Sequence, residues 1–161
     1  ELAAKMGAVS AEHLMAVSDE GIKAMAKSGT VAVLLPATSF FLMSKIYAPA
    51  KKMLEEGVRV AISTDYNPGS SPTENIQMAM WMACFKMGLT PSDIVRGVTI
   101  NAAYAINREK TIGSLEEGKK ADILVFNSPS IEYLMYRFGA NLISQVWKEG
   151  RLVVEDGSVI Y

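Results

Sequence analysis

One cysteine and one histidine are all that this chain of 161 residues contains, and that scarcity sets the first limits. A lone Cys84 excludes an intrachain disulfide. It sits in the apolar run from Met78 to Phe85 and reads as a small buried hydrophobe, with no histidine at hand to activate it as a nucleophile. A metal centre draws roughly three or four ligands from His, Cys, Asp and Glu, so this chain could complete one only with an unusual, all-carboxylate set. Long apolar runs are also missing. None approaches the roughly 18 residues needed to span a bilayer, and the opening Glu1-Leu2-Ala3-Ala4-Lys5 has neither the basic nor the apolar region of a secretory leader; the chain is expected in the cytoplasm. Nor does one sign of charge prevail, since 16 Lys and Arg stand against 17 Asp and Glu. No basic block exceeds a pair, which leaves no electrostatic footprint for nucleic acid or an anionic membrane. A small molecule or another protein is the expected partner. Walker A loops, dinucleotide fingerprints and Gly-x-Ser-x-Gly elbows are absent as well.

What is present is a chain 50% hydrophobic, enough for a globular unit with a real core. Short Val, Ile and Leu runs alternate with helical patterns, the signature of βα units on a parallel sheet. Ala8-Val9-Ser10 is a short strand candidate. Ser18 then caps a helix with two acids in its first turn, and Gly29 ends it. Val31 to Leu35 is apolar on both faces, as buried parallel strands are. A loop is expected from Pro36, then a helix over 51–56 ended by Gly57, then a strand over 59–62. These steps fit half of a wound sheet or part of a barrel. The helix from Asn75 to Met87 is apolar nearly all round, which demands cover from another helix layer or another subunit. Thr90-Pro91-Ser92-Asp93 is a strong helix start, and a short helix is expected over 101–106. Beyond Gly113 the pattern turns to short strands over 121–126, 144–148, 151–154 and 159–161, with Glu149-Gly150 and Asp156-Gly157 as hairpin turns. An α/β body over 1–110 and a small β-module over 111–161 are therefore expected.

The candidate chemistry gathers at strand ends. Ile62-Ser63-Thr64-Asp65 runs an apolar strand straight into a carboxylate, placing Asp65 at the carboxyl end of a buried strand, where α/β proteins carry their function. His13 follows the first strand in the same way, so the two side chains could converge on one pocket. The loop Asn67-Pro68-Gly69-Ser70-Ser71 offers backbone amides at Gly69, two hydroxyls, and a helix beginning near Thr73 whose positive end would welcome an anion such as a carboxylate. The alternative is a plain turn with Thr73 as a helix cap.

These residues carry a resemblance. The segment from Thr64 to Glu74 closely resembles the corresponding segment of the imidazolonepropionase family, within the amidohydrolase superfamily. Ser10-Ala11-Glu12-His13-Leu14, Thr99 to Ala105 and Gly113 to Leu124 agree in order. The last is general to metal-dependent amidohydrolases, whereas Asn67 to Glu74 is specific to this activity. The resemblance covers essentially the whole chain but only the carboxyl-terminal part of the family's enzymes. It implies an α/β fold, the carboxyl-terminal part of a (β/α)8 barrel plus strands of a small β-sandwich. It also implies hydrolysis of 4-imidazolone-5-propanoate to N-formimidoyl-L-glutamate in histidine degradation, with one zinc or iron ion, in a homodimer. By motif, Asp65 would be the strand-eight metal ligand, able also to take a proton from the attacking water. His13 would be the strand-six histidine that polarises the carbonyl or stabilises the oxyanion, and Asn67, Gly69 and Ser70 would line the substrate pocket. The family's His-x-His pair and its further histidine and glutamate have no counterpart here, so the chain alone is expected to be inactive. Another cyclic-amide hydrolase or deaminase of the superfamily, or a non-catalytic half-barrel binding module, stand as alternatives.

Overall fold

The computed structural model describes residues 1–160. Tyr161, assigned above to the last strand, lies outside the described residues. The chain opens with α1 (Leu2–Lys5), followed by β1 (Ser10–Glu12), α2 (Asp19–Ser28), β2 (Val31–Leu34), α3 (Pro36–Phe41), α4 (Ala50–Glu55) and β3 (Val60–Ile62). The strands form one parallel sheet in the order β1-β2-β3, with Glu12 opposite Val33 and Leu34 opposite Ile62. Parallel neighbours require a crossover, and helices supply it on each side of β2. The first strand lies two residues later than expected, at Ser10 rather than Ala8. Local patterning does not fix strand ends; the pairing of Ser10 with Val31 does.

The caps act as the sequence suggests. Ser18 Oγ accepts from the Gly21 amide at 3.0 Å, and Gly29 closes α2 in the left-handed region at φ 78°. The loop expected after Pro36 is instead α3, with Pro36 in its first turn, where a missing N–H costs nothing. Three helices follow β3, α5 (Ile76–Met87), α6 (Pro91–Val98) and α7 (Ile100–Ala105). Thr90 and Asp93 form the reciprocal capping box on α6. Gly97 is needed on α6 for contact rather than conformation, because a Cβ there would stand 3.0 Å from Ile62 Cδ1, so glycine lets α6 lie close on β3.

The α5 helix finds its cover within the chain, from α3, α6, β3 and a short helix, α8 (Ile131–Tyr136). Trp81 is buried there and donates its Nε1–H to the Leu134 carbonyl at 2.7 Å. Gln77 Nε2 adds a bond to Asn141 Oδ1 at 2.9 Å. Sequence reading missed α8, although Ser130 caps it. Cys84 is only partly buried, a correction to its expected burial, because it packs against the edge of the core and not within it. What burial it has pushes its thiol pKa up.

The core joins β2 and β3 with α2, α4, α5 and α6, with Leu34, Met53 and Ile94 fully buried. The remaining strands are β4 (Ile123–Phe126), β5 (Ile143–Lys148), β6 (Arg151–Glu155) and β7 (Ser158–Val159), an antiparallel sheet in chain order. It is a single sheet among the described residues, with bulges near Val125 and Val146.

Candidate active site

Parallel register brings three strand ends to one edge of the sheet. The His13 amide extends the β1–β2 ladder to the Val33 carbonyl at 3.1 Å, and the Ser63 amide extends the β2–β3 ladder to Leu34 at 3.1 Å. Immediately beyond, the backbone leaves the extended region. His13 and Asp65 take positive φ values, 64° and 54°. Such values are uncommon for non-glycine residues and recur at functional sites. Both side chains turn into one cavity of about 490 Å³.

Within it, His13 Nε2 and Asp65 Oδ2 are 3.9 Å apart, too far for a hydrogen bond. Asp65 Oδ2 instead accepts from Thr38 Oγ1 at 2.8 Å, and Thr38 is buried. Asn67, Ser70, Ser39 and Ser44 supply polar lining, and Met15 and Leu42 supply apolar lining. No lysine or arginine lines the cavity among the described residues.

The loop after Asp65 is self-bonded. Asn67 Nδ2 donates to the Asp65 carbonyl at 2.7 Å, and its Oδ1 accepts from the amides of Gly69 at 2.9 Å and Ser70 at 2.8 Å. Ser71 Oγ donates to the Thr64 carbonyl at 2.6 Å. The amides expected to meet an anion are therefore engaged by Asn67. The helix that follows is capped by Asn75, whose Oδ1 takes the Gln77 and Met78 amides, and not by Thr73. Gly69 stands outside the residues that line the cavity, and its φ is not positive.

The geometry thus joins His13, Asp65, Asn67 and Ser70 and leaves Gly69 outside the cavity lining. Thr38, Ser39, Ser44 and Leu42 escaped sequence reading because the stretch after β2 was taken for a plain loop, and Met15, which follows β1, carried no chemical signal of its own. The strand-end rule that marked His13 and Asp65 points equally to the residues after Leu34.

As a metal site the donor set is partial. Among the described residues no three His, Cys, Asp or Glu side chains converge. The Asp65 carboxylate opens on the cavity and suits a metal ion as one ligand, but a complete site takes about three or four.

Comparison with known proteins follows the same lines. The model of the amidohydrolase family matches residues 3–153. An imidazolonepropionase of Treponema denticola is 74% identical over 161 residues, covering 100% of this chain and 39% of that protein. One of Alkaliphilus metalliredigens is 56% identical over 160 residues, covering 99% of this chain and 38% of that protein. The chain therefore spans about two-fifths of the length of these relatives. Among solved structures, a zinc-bound adenosine deaminase from Xanthomonas campestris superposes with a TM-score of 0.85 at 23% identity, covering 94% of this chain and 38% of that one. A zinc-bound atrazine chlorohydrolase from Arthrobacter aurescens, complexed with atraton, gives 0.82 at 21% identity, covering 94% and 37%.

Proposed function

The chain belongs to the amidohydrolase family, and from that premise we propose that it forms the Asp65-bearing part of an imidazolonepropionase, which opens the cyclic amide of 4-imidazolone-5-propanoate to give N-formimidoyl-L-glutamate. The observation that carries this reading is the 74% identity to the Treponema denticola enzyme along every residue of the chain. In this reading β1, β2 and β3 are strands six to eight of a (β/α)8 barrel within residues 1–110. The antiparallel sheet within 111–161 is one half of a small β-sandwich.

Each side chain then has a task. Hydrolysis of a cyclic amide needs a water deprotonated, a carbonyl polarised and a ring nitrogen protonated as the C–N bond breaks. Asp65 takes the proton from the attacking water and returns it to the ring nitrogen. His13 faces the carbonyl and stabilises the charge that develops on its oxygen. Asn67 and Ser70 orient the substrate from the loop side, and Gly69 contributes by donating to Asn67 and so holding its amide in place. A zinc or iron ion, with Asp65 as one ligand, supplies Lewis acidity to the attacking water when bound. The substrate's carboxylate finds no lysine or arginine among the described residues that line the cavity.

The test is a chimaera in which this chain replaces the matching region of the Treponema denticola enzyme. It should hydrolyse 4-imidazolone-5-propanoate, and Asp65→Ala should abolish metal content and turnover together. The 161-residue chain alone should hold no stoichiometric metal and show no turnover. A folded, metal-loaded chimaera inert towards this substrate would overturn the reading in favour of another cyclic-amide hydrolase or a deaminase. Stoichiometric metal retained by Asp65→Ala would remove Asp65 from the ligands.

A further inference from the structure

The carboxylate of Asp65 has one side-chain hydrogen bond among the described residues, and it comes from the segment that follows the neighbouring strand. Thr38 on α3 is 4% exposed, and its Oγ1 lies 2.8 Å from Asp65 Oδ2. In this bond the hydroxyl donates and the carboxylate oxygen accepts. A threonine in a helix can give its hydroxyl to a carbonyl one turn back. Thr38 reaches instead to a residue 27 positions away. Bonds from a hydroxyl to a charged oxygen are short and about twice as strong as neutral ones. The other oxygen, Oδ1, has no hydrogen-bond partner among the described residues. No buried side-chain polar atom there is left unsatisfied, so Oδ1 must be reachable from outside the protein. The backbone of Asp65 is fixed separately by the bond from Asn67 to its carbonyl.

We infer that Thr38 is a positioning residue, whose buried hydroxyl anchors Oδ2 of Asp65 and so fixes the carboxylate in the cavity. The consequence for function rests on the reading of Asp65 given above; the anchoring itself does not. Thr38 also ties the segment after β2 to that after β3, so a shift of α3 moves the carboxylate.

The first experiment uses the 161-residue chain. Crystal structures of Thr38→Val and Thr38→Ser are compared with the unchanged protein. Valine keeps the shape and removes the donor, so Asp65 should leave its side-chain rotamer, whereas serine keeps the donor and should leave the carboxylate in place. If Thr38→Val does not fold, Thr38→Ala carries the same comparison. A carboxylate that stays in place without the hydroxyl overturns the inference, whatever the enzyme's substrate. The second experiment sets the same variants in the chimaera. Thr38→Val should lower kcat about 10- to 100-fold, the usual effect of removing a partner of a ligand. KM should stay within about twofold and Thr38→Ser should restore most of the rate. Equal losses for valine and serine would mean packing and overturn the role of the hydroxyl. An unchanged chimaera that does not turn over the imidazolone would count against the proposed reaction alone, since the crystallographic result still decides the anchor.

Discussion

The parallel-sheet body and the antiparallel sheet at the carboxyl end hold together by different means. In the body the strands themselves are the core. All three residues of β3 are buried, and Ala32 and Leu34 of β2 are 0% exposed. In the antiparallel sheet no residue of β4 to β7 is fully buried. Its outer ends are joined by surface ion pairs, Lys148 with Asp122 and Lys120 with Glu149. The body therefore has a rigid edge on which to mount His13, Thr38 and Asp65, whereas the antiparallel sheet presents half-exposed aliphatic side chains on its surface. Cross-strand partners share a face, and Leu124, Val146, Val154 and Val159 form such a row across all four strands. Burial on both faces, more than strand content, separates the part that carries the cavity from the part that does not.

The sharpest way to break this contrast is to look for function on the wrong side of it. His13→Ala in the chimaera should keep the metal and lower kcat by roughly 10²- to 10³-fold, the scale of removing one donor to a developing oxyanion. Lys120→Ala at the antiparallel sheet should leave turnover unchanged. Near-normal rates for His13→Ala would return the histidine to a structural role, and a large loss for Lys120→Ala would dissolve the division of labour.

A smaller effect separates the two cores. Leu34→Ala removes a fully buried side chain and should cost about 2–5 kcal/mol. The same truncation at Leu124, 45% exposed, should cost less than about 1 kcal/mol, because little area leaves water there. Urea unfolding of both variants reads the difference, and equal losses would mean that the antiparallel sheet is as tightly packed as the body.

Acid should act on the antiparallel sheet, and only weakly. The Lys148 ammonium, with help from the Glu149 amide, holds the Asp122 carboxyl below its ordinary range, and Lys120 does the same for Glu149. A carboxylate whose folded pKa is depressed binds fewer protons folded than unfolded, so its stabilisation is present above the unfolded pKa and lost as the pH falls. Amide exchange in β4 to β6 should thus be flat from pH 7 to 5, after correction for intrinsic rates, and loosen only below about pH 4. These groups are exposed, so salt should screen the effect. Loosening that begins near pH 6 would point to a group other than these carboxylates.

Much of this was legible along the chain, for identifiable reasons. Ser18, Thr90, Gly29 and Gly57 mark helix ends through bonds and dihedral angles spanning only a few residues, and local sequence suffices for those. The strand into Asp65 was visible because β3 is buried on both faces and therefore wholly apolar. The α3 helix was hidden because Pro36 punctuates the sequence like a loop while in fact opening a helix. The α8 helix was hidden because its short apolar stretch has meaning only against Trp81, 53 residues away. Gly69 suggested an open amide, yet the side chain of Asn67 folds back to occupy it.

By itself, then, the sequence determined the order of βα units, the change to antiparallel strands after Gly113, and the two strand-end residues His13 and Asp65. Each of these is written in short-range chemistry. Only the tertiary structure decided that Thr38 meets Asp65, that Asn67 closes its own loop, and that α5 is covered from within the chain. Those outcomes depend on register. Leu34 lies opposite Ile62 in the parallel pair, so residues just beyond each strand end arrive at the same edge, a coincidence that no local pattern encodes.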